Sequence, residues 1–255
     1  MEPGNFDVNK KNGYLKVFLW EFLGTFVLVL GVNFSHGYTL VVMAGIFQAC
    51  IVTCRGTGAH FNMGLTMAIY IEQWKFKQQF KVFLVYHLAE FLGSYMAMVV
   101  AYGYLRDEIA CIAPGSLDYS TWYVFFVELL FTFLMMMVIM TGKHPKLSLF
   151  DNMVTGILGS LGGIYFSASC VGPLTGAIFN ANLALSNLTF CAAVIDGKSG
   201  VLKFLPAYLF ADYIGAALAG VYVRFVALHV TPPPLSVTPM EYKRMPEAST
   251  TTSPK

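Results

Sequence analysis

Two stretches of the sequence repeat one polar pattern that could bind small solutes. TGAHFNMGLTMA begins at Thr57, and TGAIFNANLALS begins at Thr175. In each stretch a Gly is followed four residues later by an Asn, which is Asn62 in the first copy and Asn180 in the second. Asn favours the N-cap of a helix because its side-chain oxygen accepts a hydrogen bond from a free backbone N–H. Its amide NH2 group is then available to a solute oxygen.

Groupings that would support catalysis are absent from the sequence. The histidines are scattered, the five cysteines include no CxxC pair, and neither a glycine-rich phosphate loop nor a Ser/His/Asp group is evident. We therefore predict no enzyme, no metal site and no cofactor. The odd number of cysteines also predicts no disulfide framework.

The composition indicates what surrounds these two stretches. Of the 255 residues, 56% are hydrophobic and only 12% are charged. An ordinary soluble domain has about 25% charged residues, so the apolar excess predicts contact with membrane lipid. The net charge of +2 is too small to indicate a nucleic-acid partner.

Apolar runs divide the chain into elements of two lengths. Two short runs, roughly residues 62–71 and 180–190, would reach only about 15 Å at ~1.5 Å per residue, which is half a bilayer. They predict re-entrant half-helices that begin at the two Asn residues. Six longer runs approach or exceed the ~20 residues needed to cross. They cover roughly residues 16–35, 38–54, 80–104, 122–141, 152–171 and 202–228.

The basic residues indicate the orientation of these spans. Six spans place both termini on one side of the membrane, and 13 of the 16 Lys and Arg residues fall on that side. Basic residues favour the cytoplasmic side, so residues 1–15 are predicted to be a cytoplasmic N-terminus. Residues 229–255, rich in Pro, Ser and Thr, are predicted to be a disordered cytoplasmic tail. The sequence leaves open whether this is the plasma membrane or an intracellular one.

The two halves of the chain contain similar segments in the same order. EFLGTFVL at Glu21 matches ELLFTFLM at Glu128, and AEFLGSYMA at Ala89 matches ADYIGAALA at Ala211. Each half has three spans, so the second copy is inverted relative to the first, and the two half-helix N-termini meet near the midplane. The predicted fold class is therefore an all-α membrane protein, an inverted repeat of six transmembrane helices and two re-entrant half-helices.

These motifs resemble the signatures of the major intrinsic proteins, the aquaporins and aquaglyceroporins. The likeness covers about residues 16–228, with repeats at 16–104 and 122–228, and includes GPLTGAIFN at Gly172. It implies one pore per subunit, a homotetramer, and facilitated diffusion of small neutral solutes without a cofactor. It also implies that Glu21 and Glu128 support the re-entrant loops by accepting hydrogen bonds from their backbone.

Both half-helix starts depart from the family pattern. The paired Asn-Pro-Ala boxes of the family are replaced by Asn62-Met63-Gly64 and Asn180-Ala181-Asn182. Met63 and Gly64 are expected to loosen the first half-helix by roughly 1 kcal/mol. Met63 is also long enough either to narrow the passage or simply to pack beside it.

The selectivity filter also departs from the family. Leu183 stands where the family has an arginine, and the family's spacing places Val42, Ala168 and Ala177 at the other filter positions. Such a filter is apolar and lacks a fixed charge, so it could select solutes loosely or close by expelling water. Some relatives carry a mercury-reactive residue at the position of Ala177, so no mercury block is expected at this position.

Two further acids and one histidine have two interpretations each. Glu90 and Asp212 occupy matching points of the two copies, where the family more often has an amide-bearing residue or proline. They either join helices by hydrogen bonds or titrate and change the flux with pH. His60, two residues before Asn62, either packs within its loop or acts as a pH gate.

Functions of different classes remain open at this stage. The first is a passive channel for water, glycerol or similar solutes, with a filter that lacks arginine. The second is a structural or junctional relative whose pore conducts poorly. An ion channel is a third alternative, which the missing arginine favours and the missing ring of charge disfavours.

Overall fold

The computed structural model describes residues 13–150 and 152–230. The predicted tail lies almost wholly outside these residues, as does most of the predicted N-terminal segment. All regular elements in the described part are helical. The eight principal helices are α1 Gly13–Phe34, α2 Thr39–Thr57, α3 Met63–Gln73, α4 Phe76–Leu105, α5 Thr121–Lys143, α6 Met153–Thr175, α7 Ala181–Val194 and α8 Leu205–Tyr222.

Helix length separates membrane spans from half-helices. Six helical segments within the described residues are long and apolar enough to cross a bilayer. Helix α8 reaches this length with the 3₁₀ turns before it and the π-helical turn Val223–Ala227 after it. Helix α3 has 11 residues and α7 has 14, so they reach about 16 and 21 Å. The all-α, six-span fold class is confirmed.

The helices pack as two similar groups that exchange their half-helices. Helix α1 packs on α2 and α4, and α5 packs on α6 and α8, whereas α3 lies against α8 and α7 against α4. Gly93 allows α4 to pack closely on α1, and Gly215 allows α8 to pack closely on α5. A Cβ atom at Gly93 would lie 2.6 Å from the Phe22 carbonyl oxygen, and one at Gly215 would lie 2.7 Å from the Leu129 carbonyl oxygen. Each half-helix is therefore held by the neighbouring copy.

A disulfide contradicts the prediction drawn from the cysteine count. Cys111, in the loop after α4, is bonded to Cys191 on α7, with their Cα atoms 5.8 Å apart. One turn earlier on α7, the Asn187 side chain accepts from the Ile112 N–H at 2.8 Å and donates to the Ala110 carbonyl. The odd number of cysteines does not exclude a disulfide, because three of the five are free. The other two are 80 residues apart in the sequence and meet where the loop after α4 folds over α7.

Candidate functional site

The two loops that precede the half-helices share one unusual backbone conformation. Gly58 and Gly176 both have a φ of +88°, Ala59 and Ala177 have +55° and +51°, and the Phe before each Asn is also left-handed. A left-handed residue other than Gly costs of order 1–3 kcal/mol and persists only when its surroundings fix it. The repetition of the pattern means that both copies hold the same strained loop.

Two buried glutamates hold these loops in place. Glu21 accepts from the N–H groups of His60 at 3.2 Å and Phe61 at 2.9 Å. Glu128 accepts from Ile178 at 3.3 Å and Phe179 at 3.0 Å, and also from the hydroxyl group of Thr175. Both carboxyl groups are buried. Non-helical backbone at membrane depth needs such partners because lipid supplies none.

The two predicted Asn residues meet where the half-helices begin. The Asn62 amide donates to the Phe179 carbonyl at 2.7 Å, and the Asn180 amide donates to the Phe61 carbonyl at 3.0 Å. Their side-chain oxygens cap α3 and α7 by accepting backbone N–H bonds. An amide NH2 group has two N–H donors, and the second donor of each Asn has no partner among the described residues.

Each half-helix has an acceptor for the N–H group that proline would have removed. The Met63 N–H donates to Asn182 Oδ1 at 3.0 Å, and the Ala181 N–H donates to Asp212 Oδ2 at 2.8 Å. Proline at the first helical position has no N–H and would need neither acceptor. Asn182 and Asp212 therefore compensate for the departure from the family's Asn-Pro-Ala boxes.

Gly64 provides the space that Asp212 occupies. A Cβ atom at Gly64 would lie 2.5 Å from Asp212 Oδ1. Any larger residue there would displace the carboxyl group from the start of α7. The glycine that weakens α3 by its propensity therefore permits the capping of α7.

One cavity of about 660 Å³ passes between the helices and contains both Asn residues in its wall. We use the name outer mouth for the lining residues Ser35 and Thr39 at the α1–α2 connection and Gly172 near the end of α6, and the name inner mouth for His60 and Lys143, the last residue of α5. The filter positions predicted from the sequence all line it: Val42, Ala168, Ala177 and Leu183.

Met63 lies outside this cavity wall. Its sulfur atom accepts from the Tyr213 hydroxyl at 3.4 Å, and the residue is buried. The cavity is lined instead by Leu65 from the same half-helix. Of the two interpretations of Met63, the geometry favours packing over narrowing of the passage.

His60 and Glu90 share Thr66 as a hydrogen-bond partner, whereas Asp212 accepts from the Ala181 N–H. The Thr66 hydroxyl oxygen lies 2.8 Å from Glu90 Oε1 and 2.9 Å from His60 Nδ1, so Thr66 joins these two side chains. Burial lowers the pKa of His60 well below its ordinary value, and Lys143 lowers it further. Glu90 and Asp212 share no hydrogen bond, and each keeps one oxygen without a described partner.

Comparison with known proteins covers nearly the full membrane region. No family model matches the sequence. "Glycerol uptake facilitator protein-like 6" of Lactiplantibacillus plantarum is 26% identical in an alignment of 239 positions, which covers 82% of this chain and 97% of that protein. An aquaglyceroporin of Plasmodium berghei is 29% identical over 106 residues, 36% of this chain and 40% of that protein. The first of these two proteins is similar to this chain over nearly the whole of its own length.

A solved structure has the same fold as this chain. The aquaglyceroporin of Plasmodium falciparum superimposes with a TM-score of 0.71 at 21% identity. The match covers 84% of this chain and 97% of that structure. At this identity the likeness bears on the fold, so the side chains of the pore have to be interpreted from this sequence.

Lys143 is the lumen residue that the sequence reasoning missed. It ends α5, and its Nζ atom donates to the carbonyl oxygens of Gly58 at 3.1 Å and Ala59 at 3.3 Å. The signal was present in the spacing, because Met135, Met136 and Ile139 line the cavity on the same helix and residue 143 lies four beyond Ile139. Its position on this stripe places the basic side chain of Lys143 in the wall of the lumen.

Proposed function

We propose that this chain is a passive channel for water, glycerol or similar neutral solutes. The observation that carries the proposal is the pair of crossed Asn amides, each with a second N–H donor directed to no described residue, in the wall of one cavity. Both half-helix N-termini converge there, which makes the passage neutral but electropositive. The relatives are named as an aquaglyceroporin and a glycerol facilitator-like protein, in agreement with this proposal.

Loose selectivity is part of the proposal. The outer half of the lumen has small or branched apolar side chains at Val42, Ala168, Ala177 and Leu183. None of them offers a fixed donor or a charge, so shape is the main restriction on a neutral solute there. A pore of this kind should pass glycerol as well as water.

Swelling of proteoliposomes tests the channel directly. Vesicles that contain the protein should take up water and glycerol at least several times faster than lipid vesicles without it. Asn180→Leu removes one amide and its cap, and should return both rates toward the lipid background. Ala110→Leu near the outer mouth alters the lining without touching the Asn pair, and serves to separate obstruction from loss of the donors.

The apolar filter favours a second function, that of a poorly conducting structural or junctional relative. A hydrophobic constriction can close by expelling water. Swelling at the lipid rate for the intact, correctly assembled protein would support this second function. Leu183→Arg should narrow the range of solutes if the pore is open, and should have no effect on flux if it is closed.

We further propose that both termini are cytoplasmic and that the protein assembles as a homotetramer in lipid. Two features support the orientation: most basic residues lie on the side of the termini, and the Cys111–Cys191 disulfide lies on the other side, where an oxidising compartment would form it. Residues 16–228 would then form the channel, with repeats at 16–104 and 122–228. Labelling of a tag on the tail, with and without permeabilisation, tests the orientation, and cross-linking in native membranes tests the assembly.

A further inference from the structure

The lining of the cavity contains one side chain with a permanent charge among the described residues. Lys143 supplies it at the inner mouth, and the other lining residues are apolar or bear a hydroxyl, thiol or amide group, apart from His60, whose pKa is lowered by burial. The outer mouth has no such group, because Leu183 occupies the place where the family resemblance implies an arginine. The two ends of the lumen therefore differ in charge.

Backbone carbonyls hold the Lys143 ammonium at the edge of the lumen. Two of its three N–H donors bond to Gly58 and Ala59, which leaves one donor without a described acceptor. The neighbouring His144 places its Nε2 atom 3.6 Å from Glu72 Oε1, whereas Lys143 bonds to backbone carbonyls.

Glu21 is the acid that faces the same loop. Its two oxygens accept the N–H groups of His60 and Phe61, while Lys143 donates to the carbonyls of the two residues before them. Glu21 is buried and is not a lining residue of the cavity, whereas Lys143 is. An ion that enters the lumen therefore meets the positive member of this arrangement.

We propose that Lys143 supplies a fixed charge that excludes cations at the inner mouth of this pore, in addition to the electropositive half-helix N-termini at its centre. The inference rests on the proposed channel function and assigns to the inner mouth the charge that the filter lacks. A fixed positive charge in a mouth of low dielectric repels potassium and ammonium ions. A neutral solute with a lone pair is not repelled and can accept the remaining N–H donor. Charge selection and the apolar filter thus lie at opposite ends of the same lumen.

Paired measurements of current and swelling on one set of variants test this assignment. Lys143→Met and Lys143→Gln remove the charge, and Gln keeps amide donors for the loop carbonyls. Both should raise the potassium and ammonium conductance under voltage clamp by roughly tenfold over the wild type. Lys143→Arg keeps the charge and should stay at the wild-type level. Lys146→Met, an exposed lysine three residues on that does not line the cavity, is the matched control and should also stay there.

A second route leaves Lys143 and its carbonyl bonds untouched. Ile139→Glu places a carboxylate one turn away on the same lumen-facing stripe, where it can pair with the ammonium. It should raise cation conductance in the same direction as Lys143→Gln. This variant keeps the test valid if the Lys143 substitutions prevent assembly.

The outcomes separate the failure of this inference from the failure of the channel proposal. Glycerol swelling well above the lipid rate, with no added cation current in Lys143→Met, Lys143→Gln and Ile139→Glu, overturns the role of Lys143 and leaves the channel standing. Equal currents in Lys146→Met and Lys143→Met also overturn it. Swelling at the lipid rate in every variant, with no current in any, rejects both proposals together.

Discussion

The two half-helices begin in the same backbone geometry but satisfy their first N–H group with different chemistry. At α3 the acceptor is the neutral amide oxygen of Asn182, which belongs to the facing half-helix. At α7 it is the carboxyl group of Asp212, which belongs to a long helix of the same copy. The two copies therefore share the loop torsions and the Asn caps. They differ in the group that accepts the N–H of the first helical residue.

This difference shows how a pore can lack proline at the first residue of both half-helices and still satisfy the buried N–H groups there. A buried N–H without a partner costs about 1–3 kcal/mol, and lipid offers no water to replace the partner. Asn182 also donates to Ser94 at 2.8 Å, so its amide joins α3 to α4 through α7. The first start is thus fixed by contacts between the copies, and the second by one acid within a copy.

Removing the acceptor at the N-terminus of α7 should have the largest effect on the stability of the protein. Asp212→Leu leaves the Ala181 N–H without an acceptor and should lower the stability by about 1–3 kcal/mol. Ala181→Pro removes that N–H, so the double variant should be more stable than Asp212→Leu alone. The proline is sterically compatible, because Asn180 before it is extended with a ψ of 108°. Thermal unfolding in detergent measures this coupling.

Two controls make the Asp212 test specific. Asp212→Asn keeps an acceptor oxygen and should lose much less stability than the leucine variant. Met63→Pro, the equivalent change at the other start, should not rescue Asp212→Leu. Purely additive effects of Ala181→Pro and Asp212→Leu would contradict the compensation. The asparagine variant also tests whether the acid titrates, since an unchanged pH dependence of flux would remove that interpretation.

Removing the acceptor at the N-terminus of α3 should also lower the stability, but by less, because this acceptor is the uncharged amide of Asn182. Asn182→Ala should cost about 1–2 kcal/mol through the free Met63 N–H. Met63→Pro combined with Asn182→Ala restores the family's first box at residue 63 and should recover most of that loss. Ser94→Ala reports the part of the loss that belongs to the Asn182–Ser94 bond. No recovery in the double variant would separate Asn182 from the missing proline.

Sequence patterns predicted the fold because they are local or repeated. The lengths of the apolar runs gave the six spans, and the two Asn stretches fixed where α3 and α7 begin. The acceptors Asn182 and Asp212 could be seen as departures, but their partners depend on packing between α3, α7 and α8. The Cys111–Cys191 bond and the Lys143 contacts escaped prediction for the same reason, since each joins segments distant in the chain.

The mercury sensitivity of glycerol flux can test whether the alanine of the second loop faces the solute pathway. Ala177 and Ala59 share one left-handed conformation and both line the cavity, one near the filter and the other near the inner mouth. Cys50 also lines the cavity and is a free thiol, so the test needs a Cys50→Ala background. Ala177→Cys should then make glycerol flux sensitive to mercury, and the unsubstituted background should remain insensitive. Block of that background would place a reactive thiol elsewhere in the pathway.

The smallest effect is expected from pH, and it concerns the residue two before each Asn. His60 occupies this place in the first loop and the aliphatic Ile178 in the second, so a titrating gate could exist only in the first. Burial lowers the pKa of His60 and Lys143 lowers it further, so the neutral imidazole is favoured. Protonation would place a second positive charge beside Lys143, which opposes it. Glycerol flux should therefore change by less than about twofold between pH 8 and 6, and His60→Asn should leave that profile flat. A severalfold fall in flux near pH 6.5 that disappears in His60→Asn would instead make this loop a pH gate.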